Sequence, residues 1–128
     1  MKDNRTQLIF SATIYGHDGA MSEVVIDEAH TVYYRHRTCD SNPPRMSEVN
    51  MTRRDVDDML WEIEGILIEQ WDSSSPYGTG RMGEPEAWMV TLATNRGVKK
   101  WQGYGEFPAG WQEFRLLLEQ HLERPFGW

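Results

Sequence analysis

Three residues that can bind metal ions, His30, His36 and Cys39, lie close together in the chain. Imidazole nitrogen and thiolate sulfur are preferred zinc ligands, but structural zinc sites usually include a tightly spaced ligand pair such as C-x-x-C. The sequence contains neither a C-x-x-C nor an H-x-x-x-H pair. We therefore expect no metal at these residues, and no other pattern in the chain indicates a cofactor.

A glycine string, Gly78-Thr79-Gly80-Arg81-Met82-Gly83, fits the G-x-G-x-x-G pattern of dinucleotide-binding proteins. In those proteins a strand precedes the glycines, and the N-terminus of the following helix meets the pyrophosphate. Here three serines precede the string and Glu84-Pro85-Glu86 follows it, so two carboxylates would repel a phosphate. We interpret residues 72–86 as a long loop.

The candidate nucleophiles lack a catalytic context. Ser73, Ser74 and Ser75 lie in the same loop without a G-x-S-x-G turn, and Cys39 has His36 nearby but no helix N-terminus behind it. A hydrolase needs a nucleophile, a histidine and an acid positioned together. The sequence shows no such set, so we expect the protein not to be an enzyme.

The six tryptophans all lie from Trp61 onward, and we expect the core of a domain of this size to use fewer than six. Trp61 and Ile68 are seven positions apart, so on a helix they form one line, offset from the apolar stripe and flanked by acidic residues. An exposed apolar pair framed by acids resembles a protein interface with a polar rim. The alternative is that residues 72–86 or the N-terminal arm fold over the pair. The residues predicted to bind a partner are Trp61, Ile68, Asp58, Glu62 and Glu69, with Tyr77, Arg81 and Met82 from the loop.

Alternating apolar and polar residues predict strands over residues 8–15, 87–94 and 98–104. A bent or bulged strand is expected over 22–37, interrupted near Asp27 and paired with the first strand. The following segment, to Met51, is interpreted as a loop.

Apolar residues at i, i+3, i+4 and i+7 predict helices over 53–71 and 109–123. Thr52 is expected to cap the first helix, and Pro125 to stop the second. The order ββαββα predicts a single α+β domain over residues 1–128. Its two layers would be a four-stranded, mainly antiparallel sheet and two helices on one face of that sheet. The inward-facing helix residues are predicted to be Val56, Met59, Leu60, Ile63, Ile66 and Leu67 in the first helix, and Trp111, Phe114, Leu117, Leu118 and Leu122 in the second.

Part of the second half resembles a family of small bacterial and phage proteins. The residues that carry the resemblance are Trp88-x-Val90-x-Leu92, Gly97, Lys99, Gly103, Phe107-Pro108 and Trp111-x-x-Phe114. In that family a W-x-L-x-I…G…Y-P-x-x-W-x-x-L pattern follows an amphipathic helix. The resemblance covers roughly Trp71 to Leu122 and leaves the first hairpin unmatched. It implies architecture and transfers no catalytic residues.

The charge balance limits the class of partner. With 13 Lys and Arg against 20 Asp and Glu, the formal net charge is −7. This charge argues against direct nucleic-acid binding, which needs a basic surface, but suits a basic protein partner. Cys39 is the only cysteine, which excludes an internal disulfide and fits a reducing compartment. No apolar run approaches the roughly 20 residues of a membrane span. We expect a cytoplasmic protein without a membrane segment.

Together these features favour a small, acidic, non-enzymatic interaction protein from a phage or an accessory bacterial locus. It would inhibit a larger protein or nucleoprotein complex, such as a defence nuclease or a toxin, by binding a basic surface. The sequence leaves open whether the protein forms a homodimer. The alternative function is a small-molecule or nucleotide-binding module, using the 72–86 loop with Trp71, Tyr77 and Trp88.

Overall fold

The structure is a computed structural model that describes residues 8–16, 19–38, 45–70, 87–94, 97–103, 107–108 and 110–126. Its elements in chain order are β1 (Leu8–Tyr15), β2 (Met21–Asp27), β3 (Val32–Arg37), β4 (Ser47–Val49), α1 (Arg53–Gln70), β5 (Ala87–Thr94), β6 (Gly97–Gly103) and α2 (Trp111–Leu122). The predicted α+β class is confirmed.

The described strands form one antiparallel sheet of six strands rather than the predicted four, in the order β4-β3-β2-β1-β5-β6. The pairing of β1 with β5, in which Ala12 lies opposite Val90, joins the two halves of the chain. Both ends of α2 reach this sheet: Trp111 lies 5.4 Å from Trp88 between ring centroids, and Pro125, just beyond the helix, accepts a hydrogen bond from the Tyr34 hydroxyl.

The prediction of a single bulged strand over residues 22–37 was wrong. A tight turn divides this segment into β2 and β3, because the Asp27 carboxylate accepts hydrogen bonds from the backbone N–H groups of Ala29 and Thr31. His30 closes the turn with a φ of 62° and donates its own N–H to the Asp27 carbonyl. Aspartate favours such turns because its short side chain can bond to the backbone just ahead.

The structure differs from the sequence prediction in two further ways, in the place of the register irregularity and in the presence of a short edge strand. The register irregularity lies in the pairing of β1 with β2, between Leu8 and Phe10. The segment from Thr38 to Met51, predicted to be a loop, contributes the three-residue strand β4, which pairs with β3 at the sheet edge. A strand this short carries too little alternation to be recognised by its pattern.

Alternate residues of the strands pack under both helices in one core cluster. Thr52 caps α1 as predicted, accepting the Asp55 N–H on its hydroxyl at 3.1 Å. Most of the predicted inward-facing helix residues are fully buried, whereas Leu60, Ile66 and Leu117 are partly buried against the core. The buried members are Phe10, Ala12, Ile14, Val24, Ile26, Val32, Tyr34, Val49, Val56, Met59, Ile63, Leu67, Trp88, Val90, Leu92, Trp101, Trp111, Phe114, Leu118, Leu122 and Phe126.

Candidate protein interface

The core accounts for three of the tryptophans. Trp88, Trp101 and Trp111 are 1%, 3% and 7% exposed, and Trp111 lies against Phe107 with ring centroids 4.4 Å apart. Trp61, on α1, is 78% exposed. Trp71 and Trp128 lie outside the described residues. Among the tryptophans that the structure describes, Trp61 is therefore the one the core does not use.

The helix places Trp61 among acids. The residues three and four positions away on α1 are Asp57, Asp58, Glu64 and Gly65, and the three acids are exposed. Neighbours at these spacings share a helix surface with Cβ atoms about 5–6 Å apart. Over its whole length α1 carries six acidic residues against two arginines. We call Trp61, Asp57, Asp58, Glu62, Glu64 and Gly65 the Trp61 face.

Gly65 is unusual in the interior of a helix. Glycine there costs roughly 0.5–1 kcal/mol relative to alanine, because the unfolded glycine backbone has more freedom to lose. Such a residue is required where a Cβ would collide with a neighbour, but a Cβ at Gly65 would meet no atom within 4 Å. Packing among the described residues therefore supplies no reason for glycine one turn after Trp61.

Two of the acids on the Trp61 face are tied to other elements. The Glu62 carboxylate lies 2.8 Å from His121 Nε2 on α2, and the Asp57 carboxylate lies 2.6 Å from His30 Nδ1 in the β2–β3 turn. Arg53 Nε approaches Asp57 more distantly, at 3.6 Å. Both carboxylates therefore lie close to a histidine of a neighbouring element.

The structure places only some of the predicted interface residues. Trp61, Asp58 and Glu62 are exposed on α1, as expected. The side chains of Ile68 and Glu69 lie outside the described part, although α1 continues through both positions. The loop residues Tyr77, Arg81 and Met82, and with them the glycine string, lie outside it too.

The three potential metal ligands are not brought together where the structure describes them. His30 lies before β3 and contacts α1, whereas His36 lies near the end of β3, with Nδ1 3.1 Å from Ser22 Oγ on β2. Cys39 is outside the described residues. Within the described ranges, no group of three His, Cys, Asp or Glu side chains is placed to hold a metal ion.

Sequence reasoning missed the pair formed by Ser22 and His36. Only strand register brings them together, since they lie opposite each other in β2 and β3. Serine beside histidine is the first half of a nucleophilic site, but Ser22 is 0% exposed and no substrate from solvent can reach its hydroxyl. Burial lowers the pKa of His36. The pair is a part-buried polar contact within the sheet.

Tyr34 extends this polar cluster toward the end of α2. Its ring stacks on His36 at a centroid distance of 6.3 Å, and its hydroxyl donates a hydrogen bond to the Pro125 carbonyl. Burial raises the pKa of Tyr34, and the nearby Arg124 guanidinium partly offsets that rise. A neutral hydroxyl is the form that can donate this bond, so the cluster fastens the C-terminal segment to β3.

Comparison with protein-family models, curated proteins and solved structures found no match. Among the described helices, neither has the length and apolar content needed to cross a bilayer. Among the large hydrophobic side chains that the structure describes, Trp61 is the most exposed, and the Trp61 face is therefore the candidate interface.

Proposed function

We propose that this protein is a non-enzymatic binding protein that attaches, through the Trp61 face, to a basic surface of a larger protein or nucleoprotein complex and inhibits it. The observation that carries the proposal is the 78% exposure of Trp61 among acidic neighbours. Leaving a large aromatic ring in water is unfavourable, and tryptophan is enriched among the residues that dominate binding energy at interfaces.

The charge of the helix supports a basic partner. Carboxylates around an aromatic anchor speed the encounter with an opposite charge and disfavour acidic competitors. The contact is proposed to extend to Ile68 and Glu69, about two turns beyond Trp61 on α1. The loop residues Tyr77, Arg81 and Met82 are proposed to contribute as well. A phage anti-defence protein and an immunity protein against a toxin both fit this mode of action.

The anchoring of α1 supports tight binding. Because Met59, Ile63 and Leu67 bury the inner side of α1 in the core, the Trp61 face is held in one arrangement before the partner arrives. Binding by a preformed surface avoids the entropy cost of ordering it.

Affinity capture from bacterial lysates tests the proposal. Immobilised wild-type protein is compared with Trp61→Ala and with Tyr15→Ala, which removes another exposed aromatic ring from β1. We expect at least one basic protein to be retained by the wild type and by Tyr15→Ala but not by Trp61→Ala, and its activity to fall when the wild type is added. Identical sets of retained proteins for the wild type and Trp61→Ala would contradict the proposal.

A further inference from the structure

The surroundings of Trp61 on its helix are acidic rather than apolar. Its neighbours at three and four positions are three acids and one glycine, so no described apolar side chain of α1 stands at these spacings. A partner that buried an apolar group here would also bring carboxylates out of water, which is costly without a compensating charge. The chemistry of this surface therefore favours a cation.

Asp58 and Glu64 are the acids open to such a cation. They stand three positions before and three after Trp61, on opposite sides of its line along the helix. Asp57 and Glu62 already contact histidines, whereas none of the described Lys, Arg or His side chains forms an ion pair with Asp58 or Glu64.

The ring of Trp61 is open as well. A cation already stacks on one aromatic ring of the described residues: the guanidinium carbon of Arg124 lies 5.8 Å from the ring centroid of Tyr34. Trp61, at 78% exposure, presents a larger aromatic surface to solvent. Tryptophan is the side chain that attracts cations most strongly through its ring face.

We propose that Trp61, Asp58 and Glu64 form a receptor for an arginine side chain of the partner, an inference that rests on the proposed function. The guanidinium stacks on the indole and donates its N–H groups to the flanking carboxylates. Gly65 leaves room for the partner backbone to approach the helix, since it has no Cβ. Arginine is favoured over lysine because its planar guanidinium can stack and donate several hydrogen bonds at once, and because it is less strongly hydrated.

Nuclear magnetic resonance of the tryptophan indole N–H groups tests the receptor directly. The Trp61 signal is identified by its loss in Trp61→Phe. Three capped hexapeptides serve as probes: one of arginine, one of lysine, and one of citrulline, which has the shape of arginine without its charge. We expect the arginine peptide to shift the Trp61 signal with an affinity about threefold higher than the lysine peptide, and the citrulline peptide to leave the signal unmoved.

Matched variants separate the specific receptor from general charge. Asp58→Asn with Glu64→Gln is expected to weaken binding of the arginine peptide about fivefold or more, since both carboxylate partners are lost. Glu48→Gln with Glu123→Gln removes the same charge from exposed positions elsewhere and should change that affinity less than twofold. Thermal melts check that each variant keeps the fold.

The possible outcomes distinguish the two proposals. If the citrulline peptide shifts the Trp61 signal as strongly as the arginine peptide, or if both double variants weaken binding equally, the arginine receptor is wrong. A Trp61-dependent partner in the capture experiment would in that case still support the proposed function. If the arginine peptide leaves the Trp61 signal unmoved, the receptor is also wrong. The proposed function falls with it only if Trp61→Ala captures the same proteins as the wild type.

Discussion

Gly65→Ala is expected to raise the free energy of unfolding by about 0.5–1 kcal/mol. The gain comes from the unfolded chain, which has less backbone freedom with alanine than with glycine. Steric cost in the folded protein should be absent because the new Cβ meets nothing within 4 Å. For a domain of this size, the gain corresponds to a rise in Tm of roughly 2–5 °C.

The same substitution should weaken partner binding if Gly65 lies within the contact. A methyl group one turn after Trp61 would hold an approaching backbone away from the helix, so affinity should fall although the protein is more stable. Gln120→Ala, at an exposed position of α2, is the control, and its unfolding free energy should change by less than about 0.5 kcal/mol. Chemical denaturation measures the stability and calorimetry the affinity. A lower stability for Gly65→Ala would refute the reasoning about the helix, and an unchanged affinity would remove Gly65 from the interface.

Three further outcomes are expected. Trp61→Ala should weaken binding of the captured partner by about 2 kcal/mol or more, some 30-fold in Kd, because burying most of an exposed indole removes roughly 200 Å² from water. Tyr15→Ala should leave the affinity unchanged. Loss of the cooperative melt in Trp61→Ala would instead assign Trp61 to the core. Reversing Asp58 and Glu64 to lysine should slow association and flatten its salt dependence, so equal on-rates across a salt series would argue against a basic partner. Burial lowers the pKa of His36 below 6.5, so the stability contributed by the neutral imidazole is present above pH 6.5 and is lost as the pH falls through the lowered value. On acidification, the wild type should therefore lose more stability than His36→Gln. Parallel losses would show that His36 does not contribute.

The helices and the strands with long alternation could be predicted from the sequence. Phe10, Ala12 and Ile14 alternate cleanly with more polar neighbours, and Thr52 is followed by a regular apolar stripe, so each pattern contained its own structural signal. The predicted strand count is wrong in two places: β4 is too short to be recognised, and the interruption at Asp27 is a turn rather than the predicted bulge. Both features interrupt alternation, and only the hydrogen bonds from Ala29 and Thr31 to the Asp27 side chain distinguish them.

The interface could be predicted only in part. The offset of Trp61 from the apolar stripe could be predicted because helix geometry fixes that angle, whereas the sequence left open whether another segment covers the ring; its 78% exposure is a finding of the structure. The contacts of Glu62 with His121 and of Asp57 with His30 could not be predicted from the sequence, since each joins residues far apart in the chain. Pairing of this kind depends on how α1 packs against α2 and the β2–β3 turn, which a local pattern does not encode.

The two histidine contacts also divide the acids of α1 by role. The carboxylates of Asp57 and Glu62 lie toward neighbouring elements, 2.6 Å and 2.8 Å from imidazole nitrogens of His30 and His121. Asp58, beside Trp61, has no such attachment among the described residues and keeps its charge for solvent or a partner. On the proposed function, α1 needs no ordering when the partner arrives, because its buried side chains already fix it in the fold. The 18-residue helix would then serve both as a structural element and as the recognition surface.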